Sequence, residues 1–215
     1  MRAAAGRARA SPAAPTERGL DRLITFLDAV VAIAITLLVL PLVDVLADVA
    51  LDDELADVVR EDAAQFGAFV LSFVVIARLW LVHHRLVEQV GAYDQAFVVL
   101  NFGWLLTIIV LPFTTQVVAV YGSDRAAVAL YIGTMTVSSA LLTALTALVW
   151  RRPGLRREGA RPSHPGPALV TTGTFVVAFV LGVLVPAVNY FGLFLLFATG
   201  PLERRVSPLP AGTAD

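Results

Sequence analysis

What most constrains this chain is a series of long apolar runs that carry almost no charge, at residues 23–43, 63–85, 96–119, 126–150, 167–185 and 187–200. A helix needs about 20 such residues to cross a hydrocarbon layer of about 30 Å, and most of the runs approach that length. They lack the polar face of a helix on a soluble protein, so lipid or protein must surround them on every side. Composition agrees: 58% of residues are hydrophobic, 15% are charged and the mean hydropathy is +0.79, well outside the range of soluble domains. The expectation is an all-α integral membrane protein of six transmembrane helices within residues 21–203, with a disordered basic tail at 1–20 and a C-terminal tail at 204–215. Pro186 and Asn189 divide the last apolar stretch, and its final run is short, so five spans and a half-helix is the alternative count.

Arginine placement separates the two. The chain has no lysine, and basic residues accumulate on the cytoplasmic side of a membrane protein. Arg2, Arg7, Arg9, Arg18 and Arg22 precede the first span, Arg85 ends the second, Arg151, Arg152, Arg156, Arg157 and Arg161 fill the fourth loop, and Arg204 and Arg205 follow the last run. Asp44, Asp48, Asp52, Asp53, Glu54, Asp57, Glu61 and Asp62 fall on the other side with Arg60 and Arg125. Six spans place every arginine cluster on one side, with both termini cytoplasmic. The segment 153–167, rich in Pro, Gly and Arg, reads as a flexible cytoplasmic linker.

Several chemistries are excluded. A net charge of −1 offers no basic field for nucleic acid. Without cysteine there is no disulfide, thiolate nucleophile or Cys-ligated metal. There is no GxxxxGK[ST], HExxH or partnered GxSxG. His83, His84 and Glu88 imitate a metal site, but three histidines in the whole chain are too few for a His-rich membrane oxidase. No enzyme, metal or cofactor is expected.

Polar groups inside a span are costly and mark function by default. The first span holds Asp28 and Thr36. Asp28 can reach back to the interface or pair with another residue, and Thr36 can simply bond its own backbone carbonyl. Ile33, Thr36 and Leu40 stand at i, i+3 and i+7, on one face over about 10 Å. Around an axis, such a face would give two aliphatic rings bracketing a hydroxyl ring, a constriction that gates by dewetting. Aliphatic residues at helical spacing are nevertheless far more often packing or lipid contacts. The second span ends in Trp80, His83, His84 and Arg85, and the third carries Asn101 at about the depth of Asp28. Arg22, Asp28, His83, His84 and Asn101 can thus meet in one cluster near the cytoplasmic side, or decorate the interface separately.

The segment with Arg22, then Phe26-Leu27-Asp28, then Ile33, Thr36 and Leu40 resembles the first helix of the transmembrane protein 175 family, the endolysosomal and bacterial potassium channels, whose signature is Arg, three residues, then Phe-Ser-Asp. Leu71-Ser72-Phe73-Val74-Val75-Ile76, Trp80-Leu81-Val82-His83-His84-Arg85, Asn101 and Leu111-Pro112-Phe113 extend the likeness through three helices. The resemblance implies a potassium-conducting, single-repeat subunit that assembles as a homotetramer in the bilayer. It places Ile33, Thr36 and Leu40 at the pore constriction, Arg22, Asp28, Trp80, His83 and Asn101 in a supporting network, and potassium as the permeant ion. Leu27 departs from the family serine, and Ala29 stands where glycine is frequent. The competing expectation is a secondary transporter or proton pathway using Asp28 with the His83/His84 pair. Arg-only basic usage with abundant Ala and Val suggests a GC-rich bacterium, hence a multi-pass protein of the bacterial plasma membrane.

Overall fold

The structure is a computed structural model, and it describes residues 17–47, 55–122 and 124–185. Among these, every regular element is helical: α1 Glu17–Leu37, α2 Leu40–Ala47, α3 Leu55–Glu61, α4 Ala63–Val87, α5 Gln95–Tyr121, α6 Arg125–Arg151 and α7 Pro165–Leu184, with a 3-10 turn at Pro153–Leu155. Five of them are long and apolar enough to cross a membrane, α1 and α2 counting as one unit, Glu17–Val45. The expected sixth span, at 187–200, and the tail at 204–215 lie outside the described residues.

Each break between helices has a local cause. α1 starts inside the expected tail, at Glu17, because Leu20 is already buried against the bundle. It ends where Pro41 cannot donate to the carbonyl of Leu37. Leu38 and Val39 instead make tight bonds to the carbonyls of Ile35 and Thr36, both 3.3 Å, before α2 resumes at Leu40. Asp94 caps α5 by accepting from Phe97 N, and Asp124 caps α6 by accepting from Ala126 and Ala127 N. The His164 ring accepts from Gly166 N to open α7, with Pro165 in the first turn. α5 continues through Pro112 without a break.

α5 is central. It packs on α4 and α1 on one side and on α6 on the other, and α7 covers α6. Lipid tails are as apolar as leucine, so hydroxyl bonds and small residues hold such helices together. Thr115 donates to Ser72 Oγ at 2.7 Å, and Ser72 shares a hydrogen bond of 2.8 Å with Tyr131, joining α5, α4 and α6. Thr172 of α7 bonds both Ser139 and Thr143 of α6 at 2.8 Å, and Thr143 also donates to the carbonyl of Ala168.

The segment read as a flexible linker is docked. Val90 and Arg156 form an antiparallel bridge, Gly91 N donates to Leu155 O at 2.9 Å, and Arg157 N donates to Gln89 O at 2.8 Å. The Gln89 side chain accepts from Ser163 N and donates to Ser163 Oγ. Any residue but glycine at 91 would bring a Cβ to 2.9 Å from the Arg157 backbone. An ion pair between Arg152 and Asp94 closes the other edge. The physical reason is that exposed backbone groups at the α4–α5 turn find partners in the second loop at the same end of the bundle.

Candidate functional site

α1 and the turn after it bury one narrow stripe, Leu20, Leu27, Val31, Ala34 and Leu38, against the bundle. At about 100° per residue, the line Arg22, Ala29, Ile33, Thr36 and Leu40 falls on the opposite side, and all five are exposed. Ile33 is 56% and Leu40 53% exposed. The three candidate constriction residues therefore stand as far from the subunit's own core as α1 allows. Thr36 donates its hydroxyl proton to Ile33 O at 2.8 Å, which leaves its oxygen lone pairs on the exposed side. The tight turn before Pro41 separates Thr36 from Leu40.

Asp28, Trp80, His83, His84 and Asn101 gather behind the exposed face of α1. Trp80 Nε1 donates to Asp28 Oδ1 at 2.9 Å, bonding α4 to α1. The Trp80 ring stacks on His84 with centroids 5.1 Å apart. His83 is fully buried and its Nε2 lies 2.7 Å from Asn101 Oδ1, bonding α4 to α5. The Asn101 amide donates through Nδ2 to Phe97 O at 2.8 Å, so its oxygen faces His83 and the imidazole proton sits on Nε2. Trp104, one turn beyond Asn101, lies flat on His83 with centroids 4.0 Å apart and planes within 7°. Sequence reasoning did not single out Trp104; its position three residues after Asn101 was the available signal. It named Ser72 only within a matched segment and passed over Thr115 and Tyr131, whose hydroxyls in otherwise apolar runs were the clue.

Arg22 is not part of this cluster. Six residues turn the helix by about 600°, so Arg22 and Asp28 point to different sides. Arg22 borders an exposed depression with Gly19, Leu23, Phe26 and Phe102, and the Phe26 and Phe102 rings are 6.0 Å apart. Outside the spans, the capping carboxylate Asp94 is shifted. Desolvation raises it, but hydrogen bonds from Phe97 N and Arg152, with the Arg152 charge, outweigh that and hold it below the usual carboxylate range.

Buried apolar residues of α4, Val75, Ile76 and Leu79, separate His83 from the Ser72 cluster. On the buried face of α4 these apolar residues stand between the histidines and Ser72, while Arg78 is exposed on another face. No group of three or more metal-binding side chains occurs among the described residues.

Comparison with known proteins adds independent findings. The family described as endosomal/lysosomal potassium channel TMEM175 matches residues 22–112. A protein of Streptomyces collinus named as a potassium channel is 31% identical over 206 residues, covering 88% of this chain and 98% of its own. The human endosomal/lysosomal proton channel TMEM175 is 26% identical over 102 residues, 47% of this chain and 20% of the human protein. The crystal structure of a lysosomal potassium-selective channel TMEM175 homolog from Chamaesiphon minutus superposes with a TM-score of 0.67 at 25% identity, covering 86% of this chain and 98% of that one.

Proposed function

The chain belongs to the TMEM175 family, and from that membership we propose that it is a potassium channel subunit whose copies, four in number, surround a pore lined by α1. The observation that carries the pore assignment is the exposed line Ile33, Thr36 and Leu40 opposite the buried stripe of α1. A helix with its polar partners turned inward and an apolar face turned out is suited to border a narrow path shared by several copies. Ile33 and Leu40 then form two aliphatic rings with Thr36 between them. Water leaves such a constriction readily, which closes it to ions until the rings widen.

Selection follows from dehydration. Potassium gives up its hydration shell more easily than sodium, and the Thr36 oxygens, their protons committed to Ile33 O, present lone pairs that replace part of that shell. Asp28, Trp80, His83, His84 and Asn101 act one layer back, fixing the rotation of α1 against α4 and α5 so that the same face points to the axis. The arginine-rich end lies in the cytoplasm, with both termini on that side, and the protein resides in the plasma membrane of a bacterium. The apolar block formed by Val75, Ile76 and Leu79 counts against a relay through Asp28 and the histidines.

Potassium flux from liposomes holding the purified protein tests the reading, with sodium measured in parallel. Passive, potassium-favouring flux that Ile33→Asn increases while reducing the preference over sodium is the expected result. Flux indifferent to Ile33→Asn and Leu40→Asn alike would remove α1 from the pore.

A further inference from the structure

Asp21 and Arg22, one turn into α1, have no ion-pair partner among the described residues. Arg22 is exposed and edges the depression formed by Gly19, Leu23, Phe26 and Phe102. Phe26 touches Phe102 of α5, so this depression marks the α5 side of α1. Asp21 is exposed too. It lies seven residues before Asp28, which bonds Trp80 of α4, and so belongs to the α4 side. The two charges differ in height by about 1.5 Å and in direction by about 100°.

A closed ring of identical subunits is built from one head-to-tail contact, so the α4 side of one copy meets the α5 side of the next. With α1 at the axis, Arg22 heads the axial line and reaches sideways to the edge of the depression on the α5 flank, and that rotation carries Asp21 of one copy toward Arg22 of its neighbour at nearly the same depth. We infer that the neighbouring copy's Asp21 docks at the Arg22 depression, so that an Arg22–Asp21 pair repeated around the ring fastens the entrance of the pore. The inference rests on the axial placement of α1 given above. Apolar surface continues the contact beyond the charges. Val99, Phe102, Leu106, Ile109 and Phe113 form one exposed stripe on α5, and Val70, Phe73, Val74 and Leu81 are exposed on α4. The second copy is favoured over an anionic lipid headgroup because a headgroup phosphate without a cation would satisfy Arg22 and leave Asp21 unanswered.

The native chain lacks cysteine, so disulfide mapping in membranes is clean. Asp21 and Phe26 lie on opposite flanks of one helix and cannot link within a subunit. Oxidation of the Asp21→Cys/Phe26→Cys double variant is expected to give a ladder of covalent dimers, trimers and tetramers, with either single variant remaining monomeric on denaturing gels. Thr36→Cys serves as the axial control. Dimers at position 36 without the ladder would overturn this contact and leave the pore reading standing; links at neither place would overturn both. The charges are tested separately: Asp21→Arg and Arg22→Asp should each lower the tetramer fraction severalfold on native gels, and the combined reversal should restore it. A loss in Arg22→Asp that the reversal does not repair, and that follows anionic lipid content, would give Arg22 to the headgroups and overturn the pairing.

Discussion

Replacing Leu27 with the serine of the family signature should destabilise this chain. Leu27 is fully buried in the central cluster of the bundle. A buried leucine makes about 40–60 atom contacts worth roughly 0.1–0.2 kcal/mol each, and Leu→Ala in a packed core costs about 2–5 kcal/mol. In a bilayer the separated helices expose leucine to lipid rather than water, so the transfer part of that cost falls away. The lost packing remains, at about 2 kcal/mol, or about 30-fold in the folding equilibrium. A serine hydroxyl can donate to the carbonyl of Leu23 four residues back, so Leu27→Ser and Leu27→Ala should be destabilised to a similar extent. Titration with sodium dodecyl sulfate in mixed micelles, followed by tryptophan fluorescence, measures both. A Leu27→Ser variant as stable as the wild type would refute the reasoning, because it would mean that the space around position 27 accepts a polar group without loss.

Three further outcomes follow from the geometry. Trp80→Phe keeps an aromatic ring on His84 but removes the donor to Asp28; it should cost about 0.6–1.7 kcal/mol, the range of hydrogen bonds between membrane helices, most of it absent in an Asp28→Ala background, and additive losses in the double-mutant cycle would deny the bond a role. Because the folded Asp94 carboxyl titrates below its usual range, its contribution is complete above the unfolded value near 4 and is lost as pH falls through the lower folded value; amide exchange in residues 153–163 should accelerate there, and Asp94→Asn should show the faster exchange already at neutral pH. Gly91→Ala should likewise loosen the docked segment, since its Cβ would collide with the Arg157 backbone, and unchanged exchange in that segment would contradict the close approach.

The five described spans were legible because each is a continuous apolar run, and the inward cluster because Asp28, His83 and Asn101 are polar where polarity is expensive. Other features depend on information the local pattern does not hold. The α6–α7 segment looks like a linker by composition, yet Gln89 and Ser163 are 74 residues apart and only the packed bundle brings them together. Trp104 is one more apolar residue in an apolar run until His83 lies flat against it. Arg22 was grouped with Asp28 because both stand in the half of the first span nearest its start, but rotation along the helix separates them. His83 illustrates the reverse case: a histidine at the end of a span suits either the interface or the interior, and its complete burial resolves the choice. For Thr36 the two readings coexist, since donating to Ile33 O still leaves its oxygen on the open face.

The turn before Pro41 gives the first span a joint. Its lower part is tied to α4 through Asp28 and Trp80, and its upper part through Gln65, which donates to the Pro41 carbonyl at 2.8 Å. The 29 residues of Glu17–Val45 would reach about 43 Å if straight, longer than a hydrocarbon layer of about 30 Å. Since no main-chain hydrogen bond reaches from Pro41 N, flexing there breaks none at that point. The excess length can therefore be taken up by bending α2 rather than tilting the whole helix. With the first span at the axis as proposed, bilayer thickness would then act on the angle between Thr36 and Leu40, giving the lipid itself a mechanical lever on the proposed constriction.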